Sequence, residues 1–200
     1  MGGVASEPEA IDERRLALGA AAGDPAVFTE IVERFKGSVF GICRRYVGEH
    51  DAQDLAQETF VRAFVHRERF DPTRPLKPWL LTIARNLCID RLRSAEQRQR
   101  PEQDMSVYAD RSVGAEQELA GRQELALLAR GLELLPEGQR EAIAMYHLEG
   151  LSYREMSDVL GVPIGTVMTW LHRGRKRLRE IVRSAGEQSE ERAHTRSGGS

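Results

Sequence analysis

Apolar residues in this 200-residue chain recur at three- and four-residue intervals in two blocks, 24–95 and 119–183, and the stretch between them loses that rhythm. A 3.6-residue period marks helices that bury one face, and no run alternates with the two-residue period of a strand. The pattern predicts an all-α protein: two small helical domains joined by a flexible linker at 96–118, where Gln, Glu, Asp, Ser and Arg offer little to bury. Residues 1–23, polar with some Ala and Leu periodicity, read as an N-terminal leader, partly disordered, or a frayed helix, and 184–200 as a disordered tail.

In the first block, Asp24 and Pro25 form a helix start, the carboxylate as N-cap and the proline in the first turn. Val27, Phe28, Ile31, Val32 and Phe35 follow at helical spacing. A second run, Val39, Phe40, Ile42, Cys43, Tyr46 and Val47, is closed by Gly48. Asp51 is expected to cap a third helix with Ala52, Leu55, Ala56, Thr59, Phe60, Ala63 and Phe64 inward. Three prolines between Phe70 and Pro78 predict a loop. A fourth helix, about Trp79 to Arg93, turns Leu80, Ile83, Ala84, Leu87, Cys88 and Leu92 to one side.

The second block carries the sharpest local signal, Leu151 to Arg179. Ser152 with Glu155 three residues on makes a capping box. Met156, Val159 and Leu160 form an inner face, and Gly161 ends the helix before Val162 and Pro163. A second helix opens near Ile164, with Val167, Trp170 and Leu171 inward and Leu178 further on. Two short helices across a glycine-containing turn are the helix-turn-helix scaffold, whose second helix enters the DNA major groove. From Gly165 to Arg183 the cations Arg173, Arg175, Lys176, Arg177, Arg179 and Arg183 face Glu180 alone. Position then assigns roles. Met168, Thr169 and His172 are candidates for base readout. Thr166, Arg173, Arg175 and Lys176 are better placed for phosphates. For His172 an uninvolved surface imidazole is an equal alternative, and Trp170 is either core or a base contact.

The formal net charge of −2 conceals a split. Between Asp24 and Val61, seven carboxylates outnumber Arg34, Lys36, Arg44 and Arg45; between Arg62 and Arg93, eight cations outnumber Glu68, Asp71 and Asp90. Asp54, Gln57, Glu58 and Val61 fall on one stripe opposite the core residues of their helix. On residues alone such a stripe is a solvated face, and Trp79 is a core residue. A basic loop beside aromatic rings also suits single-stranded DNA, whose bases stack or are flipped into pockets.

Several classes are disfavoured. Cys43 and Cys88 sit inside amphipathic patterns and read as reduced core residues of a cytosolic protein. Neither a metal-ligand spacing nor a nucleophile-and-base motif is present, so no metal, cofactor or enzymatic activity is expected. No apolar run approaches the ~20 residues of a membrane span, and the first residues lack the basic and apolar regions of a signal peptide. Met1 to Ser6 fits the permissive N-myristoylation pattern, without any other feature pointing to a membrane.

The motifs in order resemble the sigma factors of bacterial RNA polymerase. Asp51 to Phe64 is similar to sigma region 2.2, and Trp79 to Arg93 to region 2.4. Leu135 to Ile143, Gly150 to Met156 and Gly161 to Val167 resemble region 4. Two modules alone are the layout of the extracytoplasmic-function (ECF) subgroup. The resemblance implies a cytoplasmic, non-enzymatic partner of core RNA polymerase that recognises promoter DNA, melts it and starts transcription of a stress or envelope-response regulon. Asp54, Gln57, Glu58 and Val61 would meet the polymerase. The loop Phe70–Pro78 would capture a flipped base of the −10 element, with Phe70, Arg74, Lys77, Trp79, Arg85 and Asn86 as contacts. The second module would read the −35 element through Thr166, Met168, Thr169, His172, Arg173, Arg175 and Lys176. The linker would run near the RNA exit path, and an anti-sigma factor is implied by analogy. Met168, Thr169 and Trp170 depart from the basic and small residues common in the family, so the promoter sequence does not transfer. A stand-alone helix-turn-helix regulator is the alternative.

Overall fold

The structure, a computed structural model, describes residues 7–98 and 127–197, with side chains described over 12–95 and 127–184. Most of the expected linker, from residue 99, lies outside the described residues. The described residues are helical, in two bodies.

The first body contains α1 (Glu7–Ala22), α2 (Pro25–Val65), a short 3-10 turn (Arg67–Arg69) and α3 (Leu76–Arg98). The segment expected as a loose leader or a frayed helix is a packed helix: Leu16, Ala17 and Ala20 of α1 are buried, and α1 packs on α2. Gly19 permits that approach, since a Cβ there would lie 2.6 Å from the Val27 side chain. The helix ends in a Schellman motif. Gly23, at φ 73°, donates its N–H to Ala20 O (3.1 Å), and Asp24 N–H reaches Gly19 O (3.0 Å). Asp24 then caps α2, its Oδ1 accepting from Ala26 N (2.9 Å) and Val27 N (3.3 Å), with Pro25 in the first turn.

The two runs expected as separate helices before Gly48 are one. Phe28, Ile31, Phe35, Val39, Ile42 and Cys43 keep helical phase through Gly37 and Ser38, and all six are buried. Gly48, at φ 78° and ψ −179°, supplies the break. The helix resumes before Asp51, which therefore lies in its first turn and pairs with Arg91 of α3 at 3.6 Å. Beyond the break Ala52, Leu55, Ala56, Thr59, Phe60 and Ala63 face inward. Buried Thr59 gives its hydroxyl proton to Leu55 O at 2.7 Å, so its polar atom costs little.

The expected loop to Pro78 is shorter. Helix α3 starts at Leu76, and Pro78 sits in its first turn, where a missing N–H leaves no broken hydrogen bond. Its buried face is Leu76, Leu80, Leu81, Ala84, Leu87 and Cys88; Leu92 is surface and Ile83 half-buried. Cys43 and Cys88 are both buried free thiols, and the Cys88 thiol, hydrogen-bonded with Cys43 and shielded from water, is pushed up from its ordinary value.

The second body holds α4 (residues 127–133), α5 (Glu137–His147), α6 (Tyr153–Leu160) and α7 (Ile164–Ser197). Both halves of the capping box at α6 form: Glu155 N donates to Ser152 Oγ (3.3 Å) and Ser152 N to Glu155 Oε2 (2.7 Å). Gly161 closes the helix in the left-handed region, φ 67° and ψ 32°. Its N–H and that of Val162 both reach Ser157 O. Helix α7 continues past Ser184, where a tail was expected, to Ser197.

Candidate nucleic-acid and protein interfaces

In the second half of α2, Asp54, Gln57 and Val61 are exposed and Glu58 is half-exposed, while Leu55, Ala56, Thr59 and Phe60 between them are buried. The four residues expected to meet a protein partner therefore share one outer stripe. Val61 is 56% exposed, an apolar side chain at the end of an acidic row. The Glu58 carboxylate accepts from Arg62 Nε at 2.7 Å, one turn on. Asp54, Glu58 and Arg62 also line a shallow groove of about 370 Å³ whose other wall is Leu87, Asp90 and Arg91 of α3. The cations Arg62 and Arg91 lie on this face without having been singled out from the sequence.

The loop before α3 is tied down from within. Asp71 Oδ1 accepts from Thr73 N (2.9 Å) and Thr73 Oγ1 (2.7 Å), and Arg74 N closes the turn on Asp71 O (3.0 Å). Those bonds from Thr73 hold the Asp71 carboxyl below the usual carboxylate range. Phe70 is 5% exposed, and its ring lies 4.7 Å from that of Trp79 at an interplanar angle of 37°. A ring enclosed this way supports Trp79. Trp79 and Lys77 are half-buried, and Arg74 and Asn86 exposed. Arg85 is aimed by a residue 39 positions earlier: its Nε donates to Tyr46 Oη at 2.8 Å, and the guanidinium stands 5.9 Å from that ring.

Helix α7 divides cleanly. Val167, Leu171 and Gly174 are buried, whereas Met168, Thr169, His172, Arg173 and Lys176 are exposed. Glycines bring its inner face against α5. A Cβ on Gly138 would lie 2.8 Å from the Trp170 ring, and one on Gly174 2.8 Å from Ile143 Cδ1. The Trp170 ring therefore packs on α5, which resolves the two readings of that residue in favour of packing. Thr166 is half-buried. Arg175 is turned towards α5, its guanidinium 4.6 Å from the Tyr146 ring centroid and its Nε donating to His147 Nε2 at 3.3 Å. Partial burial and the neighbouring Arg175 charge hold His147 below its ordinary value. Arg173 and Lys176 pair with no carboxylate among the described residues.

Two family models match the chain: Sigma-70 region 2 over residues 31–98 and Sigma-70, region 4 over residues 125–178. The ECF RNA polymerase sigma factor SigW of Bacillus subtilis is 34% identical over 175 residues, spanning 80% of this chain and 91% of that protein. The chain belongs to the ECF family of RNA polymerase sigma factors. SigE of Mycolicibacterium smegmatis, another ECF sigma factor, is 33% identical over 81% of this chain and 65% of that protein. Among solved structures, CnrH, in complex with the cytosolic domain of CnrY, superposes with a TM-score of 0.64 at 29% identity, covering 86% of this chain and 98% of CnrH. Sigma factors are non-enzymatic initiation factors that bind core RNA polymerase and direct transcription initiation.

Every candidate contact residue in the first body of this sigma factor lies inside the region 2 match, and every one in the second inside the region 4 match. All of α1 lies before the region 2 match. Sequence reasoning missed Tyr46, Tyr146 and His147, the groups that aim Arg85 and Arg175, because each acts across a tertiary contact. The packing roles of Gly138 and Gly174 also depend on tertiary contacts, with Trp170 and Ile143, that no local pattern shows. Among the described residues no cluster of His, Cys, Asp and Glu could hold a metal, and no helix is long and apolar enough to cross a membrane.

Proposed function

We propose that this sigma factor works in the cytoplasm by holding core RNA polymerase with its first body and gripping one promoter with both. Asp54, Gln57, Glu58 and Val61 form the polymerase contact, an acidic row ending in an apolar side chain. Arg74, Lys77, Trp79, Arg85 and Asn86 engage the −10 element, and Phe70 braces Trp79 from behind. Thr166, Met168, Thr169, His172, Arg173, Arg175 and Lys176 engage the −35 element, with Arg175 presented from the Tyr146 and His147 cradle. A regulatory protein partner of the anti-sigma kind is supported by CnrH, solved with the cytosolic domain of CnrY. A stress or envelope-response regulon follows from the subfamily.

The observation that carries the reading is the sorting of α7. Its buried side is built for close packing, and its outer side holds Arg173 and Lys176 without carboxylate partners among the described residues. Cations left unpaired on the exposed face of a second helix are the feature a phosphate backbone neutralises. The polymerase contact is tested by titrating labelled full-length protein with purified core enzyme. Asp54→Arg with Glu58→Arg should weaken binding at least about a hundredfold, as expected for removing charge pairs at an interface, while circular dichroism stays that of the parent. Unchanged affinity would take those residues out of the contact.

A further inference from the structure

The exposed side chains in the first two turns of α7 are Ile164 (47% exposed), Met168 (52% exposed) and Thr169. Ile164 and Met168 are four residues apart, so they adjoin on one face of the helix. Isoleucine has no hydrogen-bonding group, and a methionine sulfur is only a weak acceptor. Thr169 has one hydroxyl proton and gives it to Gly165 O at 2.8 Å, which leaves its methyl group and an acceptor for anything outside. One turn further on, His172 and Arg173 begin a run rich in donors. The outer face of α7 is therefore apolar at its start and cationic after it.

In the major groove, guanine presents two acceptors and adenine an acceptor beside a donor, and both are matched by side chains with donors to give. The exposed side chains at the start of α7 have none to spare, and the hydroxyl of half-buried Thr166 is the one side-chain donor near them. Thymine alone presents a methyl group there, and an apolar side chain is its natural complement. DNA is favoured as the occupant by the charge alongside: Arg173, Lys176 and Arg177 follow directly and have no carboxylate partner among the described residues, a pattern that complements phosphates. We propose that Ile164 and Met168 together form an apolar contact for a thymine C5-methyl group in the −35 element, and that this contact sets the base preference at the N-terminal end of α7. The inference rests on the reading of α7 as the −35 helix and adds what that helix selects.

The test uses full-length protein bound to core RNA polymerase. A preferred −35 sequence is first selected from duplexes randomised at that element. Each thymine in it, on either strand, is then replaced singly by deoxyuridine, which lacks only the methyl group. One or two replacements should weaken binding about threefold to fourfold, the effect of withdrawing one methyl group from an apolar contact, and the others should be neutral. In the paired variant Ile164→Ala, Met168→Ala those same replacements should become neutral, with the salt dependence of binding unchanged because no cation is removed. A selected duplex indifferent to every deoxyuridine would overturn the inference while leaving α7 as the −35 reader. So would a penalty that persists in the paired variant. Failure to select any sequence would overturn the −35 reading itself, and the inference with it.

Discussion

The candidate contact surfaces of the two bodies are organised to different degrees by their own side chains. In the first, outward-facing groups are engaged with their own chain: Glu58 with Arg62, Arg85 with Tyr46, Asp71 with Thr73, and the Phe70 ring behind Trp79. In the second, Met168, His172, Arg173 and Lys176 stand exposed, and the organisation lies beneath them, in glycines that seat α7 on α5. The first body presets several side chains, and the second presets a helix, with Arg175 alone of its outward cations held in place by Tyr146 and His147. A surface whose side chains are already paired gives geometry to a protein or an unpaired base. A rigid helix with unpaired cations gives affinity to any phosphate backbone and leaves sequence to a few outward groups.

The sharpest way to break that comparison is to unseat α7. Gly174→Val would drive a side chain into Ile143 and the Gln139 backbone, and overpacking of this kind costs about 3 kcal/mol. Each body has its own tryptophan, Trp79 in the first and Trp170 in the second. Unfolding followed by fluorescence in single-tryptophan backgrounds should show the Trp170 transition shifted and the Trp79 transition unmoved. Equal shifts would mean that the bodies are not independently built.

Removing unpaired charge comes next. Arg173→Ala with Lys176→Ala should lower the slope of log affinity against log salt by about 1.8, on the basis of ~0.9 per phosphate contact. Arg74→Ala, in the first body, should change the slope by about one contact or less. An unaltered slope in the double variant would remove both residues from the phosphate contacts.

Much of this arrangement was legible beforehand, for a physical reason. Asp24, Gly48, Ser152, Glu155 and Gly161 act on backbone groups within a few residues, so type and spacing reveal them. The continuity of α2 through Gly37 was not legible, because a glycine inside an exposed helix costs only ~1 kcal/mol and the buried positions on either side outweigh it. Helix α1 was legible only as a loose leader or a frayed helix because its buried side is small: Leu16, Ala17 and Ala20, with Gly19 against Val27. The stacking of Phe70 on Trp79 was not legible, because it joins a loop to a helix nine positions on through a tertiary contact. The Tyr46–Arg85 and His147–Arg175 contacts span 39 and 28 positions, beyond any local pattern.

Two smaller effects sharpen the picture of the second body. Ser152→Ala removes one half of the capping box and should cost about 1 kcal/mol, read as a lower Tm for Trp170 with little change for Trp79. His147 carries a mild pH signature. Its folded-state value lies below the ordinary 6.5, so the unfolded chain takes up the proton first as pH falls. Stability contributed by neutral His147 is present above about pH 6.5 and is lost on acidification through its lower folded value. His147→Gln should flatten that part of the Trp170 Tm profile below pH 6.5, and an unchanged profile would assign the dependence elsewhere.

Both bodies are expected to act on one promoter only in company with the polymerase, and permanganate reactivity of unpaired thymines on a start-site fragment measures this. Neither this chain alone nor core enzyme alone should give reactive thymines, and the two combined should give a reactive cluster at the −10 element. Core enzyme that gains no reactive thymines from the full-length chain on any start site, or a chain that opens one unaided, would contradict that expectation.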